Sequence, residues 1–172
     1  MTDRKPVETD VPHALQMLRD EHRRIGELLD EYKSAATAEM RLQLADAAIA
    51  EIDTHMLLEE EIVFPVIQRL ATEETVIEHA VSDHREIEEL ADELASTAAT
   101  EPEHPKSVAR LHERFEEHVR EEERDIFSHL EKAGEEEMVA LGNKLLERRE
   151  SIRKDVSEHG PAAPASLAGE AG

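Results

Sequence analysis

Apolar residues recur along this chain at alternating steps of three and four, the spacing of one buried helix face, and at six such positions histidine or glutamate stands instead. One stripe reads Leu15, Leu18, His22, Ile25 and Leu29. A second reads Ile49, Ile52, His55, Glu59, Ile62 and Val66. The third carries Ile77, Ala80, His84, Ile87, Ala91 and Leu94, and the fourth Val108, Leu111, Phe115, His118, Glu122 and Ile126. Few segments show the period of two that marks a strand, so the expected fold class is all-α.

Punctuating residues set the limits. Asp10 can cap the first helix, with Pro12 in its opening turn. The second helix should run from about Ala38 to Leu70, with Pro65 kinking it or loosening its final turn, because the ring removes a backbone hydrogen bond. The third should cover about 73–97. Glu101-Pro102-Glu103-His104-Pro105 then breaks the chain, and the fourth helix should reach about Lys132. Gly134 marks the next break, and a fifth helix with a sparse stripe (Met138, Leu141, Leu145, Ile152) should span about Glu135 to Asp155. That stripe suits either a groove of the bundle or a second copy of the chain. The order implies an up-down-up-down four-helix bundle over 12–133 and an accessory C-terminal helix over 134–158. Residues 1–11 should be a flexible N-terminus, and 159–172 a disordered tail rich in Pro, Ala and Gly.

Composition narrows the function. The 20 Lys+Arg against 42 Asp+Glu give a formal charge of −22, which leaves no basic patch for nucleic acid and disfavours an anionic membrane surface. No apolar run approaches the roughly 18 residues that a membrane span needs. The absence of cysteine excludes disulfides, thiolate metal sites and thiol catalysis. With a polar N-terminus, the expected compartment is the cytoplasm.

The six polar stripe residues carry the chemistry. Burying an ionised carboxylate without a partner costs several kcal/mol or forces it to neutralise. Glu59 and Glu122, each one turn from an inward histidine, therefore call for counter-charge, and a pair of metal cations supplies it. Residues four apart lie about 40° apart around a helix and about 6 Å apart along it, so both reach one cavity. Acids are 42 of 172 residues, so ten histidines should show two or three such pairs by chance, and five occur. The pairs His55–Glu59 and His118–Glu122 differ from the others by lying on the stripe and by the Phe that follows at +9. They also repeat. His55, Glu59, Glu60 and Phe64 match His118, Glu122, Glu123 and Phe127 at an offset of 63, and Glu21-His22 matches Asp83-His84 at an offset of 62. Mixed imidazole and carboxylate donors favour iron or manganese. The other glutamates of the two acidic runs should be solvated. His13, His79, His104, His112 and His159 should lie at the surface, and Tyr32, Phe64 and Phe127 should be core.

These motifs resemble the haemerythrin-like HHE cation-binding group: Glu21-His22, His55-x3-Glu59-Glu60-x3-Phe64-Pro65, Asp83-His84 and His118-x3-Glu122-Glu123. The resemblance covers about residues 12–133. It implies a four-helix bundle with an oxo- or hydroxo-bridged di-iron centre, bridged by Glu59 and Glu122, with His22, His55, His84 and His118 as terminal ligands. Oxygen carriers of the group have a His-x-x-x-His pair on the third helix, where this chain has Ala80. The donor set is thus similar to the four-His, two-Glu version of di-iron repair proteins and of an iron-sensing ubiquitin-ligase domain. The expected activity is binding or reaction of a small ligand (O2, NO or H2O2). The alternative is an iron-responsive regulatory module or an iron-storage or donor protein. The residues leave the redox partner and any homo-oligomer open.

Overall fold

A computed structural model describes residues 13–70 and 75–159. Among these, the elements are α1 (Ala14–Ser34), α2 (Ala38–Leu58), a π-helical turn (Glu59–Val63), α3 (Phe64–Leu70), α4 (Thr75–Ser96), α5 (His104–Leu130) and α6 (Glu135–His159). The expected cap at Asp10, the N-terminal segment 1–11 and the tail beyond His159 lie outside the described residues. So does the start of the third helix at Glu73.

Local chemistry places the ends. Thr37 caps α2 by accepting the Met40 N–H at 3.1 Å, with Glu39 favourably placed in the first turn. Pro105 occupies the first turn of α5, where its missing N–H costs nothing. Gly134 takes φ 83°, the left-handed conformation that lets the chain leave α5 and enter α6.

The expected disturbance at Pro65 takes a definite form. The Phe64 N–H bonds back five residues to the Glu59 carbonyl, giving one wide π turn immediately before the proline, and the rod continues as α3. In an unbroken α-helix the Pro65 ring would press on the Glu61 carbonyl, four residues back. Widening the turn relieves that clash at the level of Glu59. α2, the π turn and α3 therefore act as the second rod of the bundle.

Rods α1, α2, α4 and α5 pack around a square, with contacts between α1 and α2, α2 and α4, α4 and α5, and α5 and α1. The core divides in two. One apolar cluster holds Leu15, Leu18, Leu58, Phe64, Ile67, Ile126 and Phe127, and the other Ile25, Leu29, Ile52, Ile87, Leu111 and Phe115. Between them lies a layer of His22, His55, Glu59, His84, His118 and Glu122, all buried. The groove reading of α6 is the one observed. It lies against α1, α2 and the π turn and buries Met138, Leu141 and Leu145 in the first cluster. No described helix is long and apolar enough to cross a membrane.

Candidate metal centre

Four rods bring the six stripe residues into one layer. His22, His55, Glu59 and Glu122 each turn one donor atom into a group whose atoms lie within 4.8 Å of one another. Glu59, His84 and His118 form a second such group. Glu59 is shared. Glu122 comes within 3.8 Å of His118 Nε2 but otherwise belongs to the first group.

Hydrogen bonds fix the imidazole orientations from behind. His22 Nδ1–H donates to Glu123 at 3.1 Å, His55 Nδ1–H to Glu21 at 3.0 Å and His84 Nδ1–H to Glu60 at 2.7 Å. A neutral ring that donates through Nδ1 turns the Nε2 lone pair inward. The inward atoms then face one another: His22 Nε2 lies 3.2 Å from His55 Nε2 and 2.9 Å from Glu122 Oε2, and His84 Nε2 lies 3.1 Å from Glu59 Oε2. Lone pairs and carboxylate oxygens at such distances repel unless a cation or proton sits between them.

Protons do not answer every one of these contacts. Burial opposes charge on His22, but hydrogen bonds and charge from Glu122 and Glu123 outweigh it and raise its pKa. Burial and then the charge of Glu122 push the Glu59 carboxyl well above its ordinary value. Burial holds His118 down to about 3, so its ring stays neutral. His118 Nε2, Glu59 Oε1 and Glu122 Oε1 remain buried with no hydrogen-bond partner. Unpartnered buried donors and acceptors are rare in folded proteins. Convergent buried imidazole and carboxylate groups of this kind fit bound metal cations.

The repeated motif acquires a structural meaning here, because each long copy cradles a histidine of the opposite helix pair. Glu59 faces His84 Nε2, Glu60 holds His84 Nδ1, and the Phe64 ring stacks on His84 at 5.3 Å. Glu122, Glu123 and Phe127 treat His22 alike, the Phe127 ring stacking at 5.9 Å. The Glu–Glu–Phe positions thus supply the inward oxygen, the outward acceptor and the apolar wall.

Several expectations need correction. Glu60 and Glu123 are exposed as expected, but their carboxylates also hold the outward nitrogens of His84 and His22. Glu21, quoted only as part of a motif, is buried beneath Arg149 of α6. His104 is buried because the Tyr32 hydroxyl hydrogen-bonds its Nδ1 at 2.7 Å. His112 is also buried, where α5 faces α1, with Glu116 at 3.5 Å. His79 is exposed as expected, and His13 is only half-buried. His129 donates to the Asp125 carbonyl of its own helix at 2.7 Å.

Fold and layer together define a metal-binding helical bundle. The chain belongs to the Hemerythrin HHE cation binding domain family, whose model matches residues 13–130. Among solved structures it is similar to a hemerythrin HHE cation binding domain-containing protein from Mycobacterium kansasii, with 26% identity and a TM-score of 0.74. The similarity covers 87% of this chain and 95% of that one, more than residues 1–130 could supply, so it continues into α6. No curated protein matches the chain.

Proposed function

We propose that this chain is a non-haem di-iron protein that binds or reacts with a small ligand, O2, NO or H2O2. His22 and His55 would hold one ion and His84 and His118 the other, with Glu59 and Glu122 bridging. The observation that carries this reading is the Glu59 carboxylate, fully buried and common to both donor groups. Glutamate is long enough to bridge, and two bridging carboxylates with four imidazoles leave positions open on both ions. When bound, the iron pair would supply redox change and Lewis acidity. The chain itself holds the donors rigid through Glu21, Glu60 and Glu123, and walls the layer with Phe64, Phe115 and Phe127 against bulk water.

Iron content and optical spectra test the reading. Protein from iron-replete cells should carry two irons per chain, and Glu59→Ala and Glu122→Ala should each lose most of that iron. Adding O2, NO or H2O2 to the reduced protein should change its spectrum. Near-zero iron in the parent, or full loading in both variants, would overturn the assignment. Iron without any spectral response would remove the small-ligand role.

A regulatory reading has one observation in its favour. Arg149 of α6 binds Glu21, and Glu21 binds the buried His55. Metal occupancy could thereby bias the docking of α6. Protease sensitivity of α6 that rises sharply on iron removal, in a protein inert to all three ligands, would favour this reading over the first.

A further inference from the structure

The two halves of the bundle repeat, but their flanks are unequal. α6 covers the flank formed by α1, α2 and the π turn. Between α4 and α5 a cleft of about 260 Å³ runs inward past Val76, His79, Ser82, Asp83, Glu121 and Asp125 to the buried His118 and Glu122. At its inner end are unpartnered atoms, His118 Nε2 and Glu122 Oε1, on side chains only 1% exposed. The residues matched by the repeat also part company. Glu21 accepts from His55, whereas Asp83 faces the cleft and is paired with Arg114. Asp83, Glu121 and Asp125 line the passage against His79 and Arg124, the latter itself paired with Asp125.

We infer that the α4–α5 cleft is the port through which divalent metal ions reach the buried centre, with Glu121 and Asp125 acting as its electrostatic funnel. A cleft whose lining carries an excess of one sign of charge focuses the field and raises local counter-ion concentration. The buried carboxylate at its end gives the ion a destination that outcompetes the mouth. The inference rests on the metal-centre reading, and the experiment separates the two.

Loading of apo-protein with cobalt(II), followed by visible absorption in a stopped-flow instrument, reads the route directly. Glu121→Gln/Asp125→Asn should slow loading by about three- to tenfold at low ionic strength, with the same final stoichiometry. That difference should shrink in about 0.5 M salt, where charges are screened within a few ångströms. Glu27→Gln/Glu31→Gln removes the same charge from the exposed face of α1 and should load at the parent's rate. Ser82→Trp, which puts bulk at the exposed mouth, should slow loading at every salt concentration. Port variants that load as fast as the parent, while the parent takes up cobalt, would overturn the port and leave the centre standing. A parent that takes up neither cobalt nor iron would overturn the centre, and the port with it.

Discussion

Glu60 and Glu123 reach across the bundle to hold the outer nitrogens of His84 and His22 while their own heads stay half in water. Carboxylates behind a ligating imidazole fix its orientation and raise its basicity, and losing one weakens metal binding by about 10–100-fold. Glu60→Ala and Glu123→Ala should each show such a loss in competition with a chelator while remaining helical, and unchanged affinity would remove their orienting role. Asp53 offers a residue-scale test of pH. On the exposed side of α2, partial desolvation and then the charges of Glu88 and Asp92 push its carboxyl up to about 6. A raised carboxyl pKa means stability present below the unfolded value of about 3.9 and lost as pH rises through 6. Asp53→Asn should therefore leave the melting temperature unchanged near pH 4 and raise it by about 2–4 °C at pH 7.5, after discounting for solvent screening. An equal effect at both pH values would refute the assignment. The six inward donors were legible because each breaks an apolar stripe. Glu60 and Glu123 stood in the repeat too, but a stripe argument assigns them to solvent, since they lie one residue off the buried face.

Of the elements, α6 was read least well from its stripe, because four apolar residues fit a bundle groove and a second copy equally. The polar residues settle its place. Arg148 binds Glu61 at 2.6 Å and Arg149 binds Glu21 and Glu51, contacts between segments too distant in sequence for periodicity to register. The π turn was hidden for a different reason. Pro65 announces a disturbance, but whether a helix answers with a kink or a wider turn depends on what its neighbours must face. Here the widened turn begins at Glu59, which lies in both donor groups. A chain ending at Ala133 keeps all six donors but removes Met138, Leu141 and Leu145 from the first apolar cluster and strips Arg149 from Glu21. Three buried apolar side chains are worth about 5–8 kcal/mol, a large share of the 5–15 kcal/mol that folds an ordinary domain. Thermal melts should show this truncated chain unfolding at least about 10 °C lower, with weaker iron retention against a chelator. A truncated chain that melts like the parent would show α6 to be energetically idle.

At the scale of the whole molecule, a polar layer splits the core into two apolar blocks, and the fold depends on what neutralises that layer. Without bound metal, unpartnered carboxylate and imidazole atoms stand at its centre, and a net charge of −22 has less to oppose it. The apo-protein should therefore melt well below the holo-protein, and added salt should stabilise it by screening the self-repulsion. Calorimetry with and without chelator checks both, and equal melting temperatures would mean the layer needs no metal. Tyr32 and His104 lie in the block away from α6, where Tyr32 is the chain's one tyrosine in the absence of tryptophan. All ultraviolet emission from this protein above the phenylalanine band therefore comes from a single phenol whose hydroxyl is held by a single imidazole. Its intensity should follow the parting of α1 from α5 rather than events confined to the metal layer. Recording it beside the absorption of the bound metal would show whether the molecule comes apart as one body or loses its metal end first.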